Sequence, residues 1–96
     1  MGSMADQKAI AATITGVVQG VGYRYAALHM AEELGLEGWV RNTRDGSVET
    51  WAQGNADVLQ VFIAFLKQGP RPARVQSVDV RSVVPDASLR GFVARS

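Results

Sequence analysis

The segment Gly16-Val17-Val18-Gln19-Gly20-Val21-Gly22-Tyr23-Arg24 decides the fold. Upstream of it, Ile10, Ala12 and Ile14 alternate with Ala11, Thr13 and Thr15, the period of a strand with one buried face, over roughly Lys8 to Gly16. Downstream, Tyr23, Ala27, Met30, Ala31 and Leu34 recur at helical spacing and make one apolar stripe. The period changes inside the quoted segment, so that segment is a strand-to-helix loop. Glycines at Gly20 and Gly22 remove the Cβ atoms that would hinder a turn whose backbone N–H groups converge on one point. The helix that follows adds its own unpaired N–H groups and the positive end of its dipole. Arg24, in the first turn, adds a fixed charge and a planar fork that matches two phosphate oxygens. A phosphoryl dianion is the group such a cradle accepts, held by Arg24 and the backbone of Gln19, Gly20, Val21, Gly22 and Tyr23.

Two other glycine loops are excluded. A Walker A loop requires a Gly-Lys pair followed by Ser or Thr, and no such run is present. A dinucleotide fingerprint requires a third glycine where this chain has Tyr25. Taken alone, a strand–Gly–Gly–helix turn is most often only a tight turn, so the remainder of the chain carries the weight.

Leu36 to Asn42 and Ser47 to Gln53 read as two strands joined through Asp45-Gly46, a hairpin signal. Asn42 closes the first of them, where the ordinary reading of an asparagine is backbone capping beside a turn. Gly35 is placed to cap the first helix. Asn55 is placed as N-cap of a second helix, with Val58, Leu59, Phe62, Phe65 and Leu66 on its core side. Gly69-Pro70 and Pro72 end that helix. Val75, Val78 and Val80 mark a further strand, and Phe92 and Ala94 a short terminal one. The order βαββαβ predicts an α+β fold, a ferredoxin-like α/β sandwich with both helices on one face of an antiparallel sheet.

The pattern Gly16-x-Val18-Gln19-Gly20-Val21-Gly22-Tyr23-Arg24, followed by Gly38-Trp39-Val40-Arg41-Asn42-x-x-x-Gly46-x-Val48 and Gly54, resembles the pair of signatures of the acylphosphatase family. Gln68-Gly69-Pro70 with Ala73-x-Val75 is similar to that family's pattern after the second helix. The resemblance runs from about Ala9 to Phe92, in one order and spacing, and implies the same fold. Tyr23 departs from it, standing where the family usually has Phe. Its extra hydroxyl requires a partner if buried.

The resemblance implies hydrolysis of an acyl phosphate to a carboxylate and inorganic phosphate. It assigns Arg24 and the loop N–H groups to the phosphoryl group and Asn42 to the attacking water, with no metal and no cofactor. The carboxylate leaving group has a conjugate acid of pKa about 4–5 and needs no general acid. Carbamoyl phosphate, acetyl phosphate and 1,3-bisphosphoglycerate are the substrates the family brings to mind, and the motifs do not rank them. The alternative is a catalytically inactive module that binds a phosphorylated ligand or acts in regulation. In larger proteins a similar domain is one module of a maturation factor that handles carbamoyl phosphate.

Ninety-six residues at 47% hydrophobic can bury one modest core, and a net charge of +1 argues against a nucleic-acid partner. There is no cysteine, which excludes disulfides, thiolate nucleophiles and cysteine-ligated metals. No apolar stretch has the length of a membrane span and none is flanked like a signal peptide, so a cytoplasmic protein is expected; size and polar alternation point to a monomer, and Met1-Gly2-Ser3 before Met4 reads as a cloning remnant. His29, the sole histidine, and Glu32 and Glu33 fall toward solvent on the first helix. Trp39 and Trp51 read as packing or sheet-surface residues, and Arg41 and Arg44 as exposed charge with the option of assisting an anion. Thr43 is a candidate pin for the hairpin, and the turn accounts for Asp45. An RNA-binding module of this fold would show aromatics on its open sheet face, where the first strand offers Ala and Thr and the third Trp51 alone.

Overall fold

The computed structural model describes residues 7–96; Met1-Gly2-Ser3 lies outside them. The elements are β1 (Gln7–Val17), α1 (Tyr23–Glu33), β2 (Glu37–Asn42), β3 (Val48–Asn55), α2 (Ala56–Gln68), β4 (Arg74–Val83) and β5 (Phe92–Arg95). They form one sheet in the order β4-β1-β3-β2-β5. The pairs β1–β3, β1–β4 and β2–β3 are antiparallel, while β5 adds to the edge parallel to β2. This is the ferredoxin-like α+β fold expected from the element order. The parallel fifth strand makes the sheet mixed, because the chain crosses from β4 at one edge to β5 at the other before it pairs.

Alternation in the strands decides which face the helices cover. Ile10, Ala12 and Ile14 of β1, Val40 of β2, Val48 and Ala52 of β3 and Phe92 of β5 share one buried cluster with the helices. Into it α1 sends Tyr23, Ala27 and Ala31, and α2 sends Leu59, Phe62 and Leu66. Phe62 and Phe92 meet edge to face with ring centroids 6.0 Å apart.

On β4, Val75, Val78 and Val80 break strict alternation, yet all three pack against the core. A register shift opposite Thr15 and Gly16 explains this: Thr15 pairs with Ser77 and Gly16 with Val75, so Gln76 is the extra residue. One inserted residue flips the face of everything before it, which returns Val75 to the side of Val78.

Helix α1 ends as its sequence predicts. The N–H groups of Gly35 and Leu36 donate to the carbonyls of Glu32 and Ala31, satisfying two of the last turn's orphan acceptors. Helix α2 begins on Asn55, whose Oδ1 accepts from the Asp57 N–H at 2.8 Å.

The open face of the sheet carries the odd-numbered partners. Ala11, Trp51 and Trp39 lie side by side across β1, β3 and β2. Trp51 therefore has a second aromatic beside it, which the strand-by-strand reading of the sequence did not anticipate. Arg41 and Arg95 sit over the Trp39 ring at 5.3 and 4.9 Å from its centroid. Gln53, 2% exposed, is fully occupied: its amide bonds Glu37 and both the N–H and C=O of Asp86, which pins the β4–β5 connection to the sheet.

Strand direction is what positions the site. Strands β1 and β2 flank β3, and both run antiparallel to it, so their C-terminal ends lie at the same end of the sheet. Strand β5, parallel to β2, ends there too. The loop after β1, Asn42 at the end of β2 and Arg95 near the end of β5 are thereby gathered from sequence distances of tens of residues.

Candidate active site

The N-terminus of α1 is uncapped. Gly22 is its N-cap with φ 81° and ψ 11°, no side chain among the described residues caps it, and no acidic residue stands in the first turn. Gly20 also has a positive φ, 74°, a conformation that L side chains rarely adopt. The loop thus turns left-handed twice and leaves the donors at the head of α1 free.

Two further polar atoms are left open at the same place. Arg24 Nε and Asn42 Oδ1 are both buried without a hydrogen-bond partner among the described residues. Buried polar atoms without a partner cost about 1–3 kcal/mol each, so their coincidence at an uncapped helix end makes this the candidate site. The other side of the Arg24 guanidinium is fixed: Nη1 donates to the Arg95 carbonyl at 2.8 Å. A cavity of about 240 Å³ opens between them, with Val18, Gly20, Gly22, Tyr23, Arg24 and Asn42 in its lining. Tyr25 also lines it, 58% exposed, with the Arg24 guanidinium carbon over its ring at 5.5 Å from the centroid.

Of the loop residues singled out in the sequence, Gly20, Gly22, Tyr23 and Arg24 line this cavity, and Asn42 joins them from β2. Gln19 and Val21 do not line it. Val21 packs on the core. Gln19 has a role that the sequence reading missed: its Nε2 donates to the carbonyls of Thr43 and Ser47 at 2.7 and 2.8 Å. This side chain ties the loop to the hairpin that carries Asn42. A pairing between residues 24 and 28 positions apart leaves no local signal in a sequence.

The hairpin is held rigid behind Asn42. The Thr43 N–H donates to the Ser47 carbonyl at 2.9 Å, and the Thr43 hydroxyl donates to Asp45. The Thr43 hydroxyl and the Ser47 N–H hold the Asp45 carboxyl below the usual carboxylate range. Asn42 therefore does not serve as the cap of this turn; Asp45 does that. Arg44 is exposed in the turn, and Arg41 faces the open sheet, where it bonds Glu49 at 2.7 Å. Neither lines the cavity.

Tyr23 supports the loop from below. It is 1% exposed, and its hydroxyl donates to the Leu66 carbonyl at 2.7 Å, a group in the last turn of α2 with no helical donor left. Burial pushes the phenol well above its ordinary value, so it stays neutral and keeps the proton for this bond. Gly69 makes room for the ring: a Cβ there would fall 2.9 Å from Tyr23 Cε2. The Gln68-Gly69-Pro70 segment is in this way a packing partner of the loop.

The acylphosphatase family model matches residues 10–94. The chain belongs to the acylphosphatase family. It is 47% identical to the acylphosphatase of Bifidobacterium longum over 83 residues, covering 85% of this chain and 86% of that one. To the acylphosphatase of Thermus thermophilus it is 48% identical over 83 residues, 86% of this chain and 93% of that one. The solved acylphosphatase of Coxiella burnetii superposes with a TM-score of 0.89 at 36% identity, covering 97% of each chain. Among the described residues of this acylphosphatase-family chain, no group of three or more His, Asp or Glu side chains is arranged to hold a metal ion. No described helix is long and apolar enough to cross a membrane.

Proposed function

We propose that this chain hydrolyses acyl phosphates to a carboxylate and inorganic phosphate at the head of α1. The observation that carries the reading is the meeting of two buried, unpartnered polar atoms, Arg24 Nε and Asn42 Oδ1, at a helix N-terminus that no side chain caps.

Arg24 and the free N–H groups of the loop and first helical turn receive the phosphoryl oxygens. Phosphoryl transfer concentrates charge on those equatorial oxygens, and donors already fixed in place stabilise it without reorganising. The Arg95 carbonyl keeps the guanidinium from swinging away. Asn42 Oδ1 accepts a hydrogen bond from a water and aims it at phosphorus. The P–O bond to the acyl group breaks, and the carboxylate leaves with the bonding pair. An amide oxygen is too weak a base to take the water's proton, which passes to a phosphoryl oxygen of the substrate. All of these groups come from one chain, which supports action as a monomer.

Turnover of benzoyl phosphate in the presence of excess chelator tests the assignment. Arg24→Ala is expected to lower kcat/KM about a thousandfold and to raise KM, since it holds both ground and transition states. Asn42→Ala is expected to lower kcat about a hundredfold with KM within a few-fold of the parent. Tight binding of inorganic phosphate by a folded protein that shows no turnover would leave a binding module instead.

A further inference from the structure

We propose that Tyr25 is the surface on which the acyl group rests, and that the site therefore favours planar, aromatic acyl phosphates over small aliphatic ones. The proposal rests on the acyl phosphate reading above and concerns the half of the substrate that the phosphate cradle does not recognise.

Two observations place the acyl group against Tyr25. First, the side chains around the cavity are otherwise spoken for. Val18 and Tyr23 are each 1% exposed and form its floor, Gly20 and Gly22 have no side chains, and Arg24 and Asn42 serve the phosphoryl group and the water. Tyr25, 58% exposed, is the lining residue with free side-chain surface. Second, its ring lies 5.5 Å from the Arg24 guanidinium carbon, so a group bonded to a phosphate on Arg24 comes within reach of the ring.

A flat acyl group covers the phenol ring in an offset stack and removes apolar surface of both from water. An acetyl group offers too little surface to do so. Among the described residues, the other large apolar side chains exposed by more than half, Val17, Val61 and Val84, do not line this cavity.

The test is kcat/KM for benzoyl phosphate and for acetyl phosphate in the parent chain, Tyr25→Phe, Tyr25→Leu and Tyr25→Ala, with the inhibition constant of inorganic phosphate measured beside them. The benzoyl-to-acetyl ratio is expected to fall about tenfold in Tyr25→Ala, the scale of one aromatic contact, and nearly as far in Tyr25→Leu. Tyr25→Phe, which keeps the ring, is expected to restore it. The phosphate inhibition constant is expected to move far less than the ratio. Active variants with an unchanged ratio overturn the assignment, as does a phosphate constant that shifts as much as the ratio, which would mean a disturbed loop. A parent chain inactive on both substrates overturns the acyl phosphate reading itself, a separate result from activity without selectivity.

Discussion

The two helices of this molecule begin in opposite ways. Helix α2 is finished at its N-terminus: Asn55 accepts from the Asp57 N–H, and Asp57 places a negative charge in the first turn. Helix α1 starts on Gly22 with no side-chain cap and no acidic residue. Both ends carry the same orphan donors and the same positive dipole end. The sequence satisfies one internally and leaves the other open, beside two more polar atoms without partners among the described residues. Stability at α1 is recovered elsewhere, through the Tyr23–Leu66 bond beneath the loop and the Gln19 bonds to the hairpin. An open donor set can thus be held rigid when its supports lie outside it.

Giving α1 a charge like that of α2 should break the contrast most visibly. Gly22→Asp puts a carboxylate at the head of α1; measured against Gly22→Asn, which meets the same positive φ without the charge, the Michaelis constant for benzoyl phosphate is expected to rise about tenfold or more, with the inhibition constant of inorganic phosphate rising in parallel. An unchanged phosphate constant would show that the free N–H groups do not hold the phosphoryl group.

The reciprocal change sharpens the comparison. Asn55→Ala removes the α2 cap and is expected to cost about 1 kcal/mol, a fall in Tm of about 4–8 °C for a domain of this size, with kcat and KM unaltered. Thermal unfolding and steady-state kinetics on the same sample separate the two helix starts into one that matters for stability and one for binding.

The smallest effect concerns the hairpin behind Asn42. The Asp45 carboxyl is held below its ordinary value by the Thr43 hydroxyl and the Ser47 N–H, so its charged form is favoured in the folded state. Its contribution is complete above the unfolded carboxyl value of about 3.9 and is lost as pH falls through the lower folded value. Asp45→Asn is therefore expected to show a small deficit in Tm at pH 6 that closes as the pH is taken toward 3. A deficit that stays constant with pH would assign the effect to turn geometry alone.

Both helix starts could be read from the chain, and for the same reason. Caps and turns act within three or four residues, so Asn55 before an apolar stripe, Gly35 after one, and Gly20 and Gly22 before Arg24 speak through local backbone chemistry. The sandwich followed from the order of such elements. The bulge at Gln76 was partly visible, as the broken alternation of Val75, Val78 and Val80. The second aromatic at the open face was not: whether Trp39 stands beside Trp51 depends on the register of β2 against β3.

For the site, the sequence by itself determined which side chains are available: Arg24 in a first turn, Asn42 at a strand end, glycines where the backbone must turn left-handed. Only the tertiary structure decided that they meet. Strands β1, β2 and β5 end together because each takes its direction from its neighbour in the sheet, which brings Arg24 to the Arg95 carbonyl across 71 residues. The same closure turns Gln19 into the tie between loop and hairpin and sets Gly69 against the Tyr23 ring. Whether Arg24 Nε and Asn42 Oδ1 find protein partners or are left open likewise depends on every element packed around them. That is a property of the assembled sheet and helices, with no trace in any short stretch of chain.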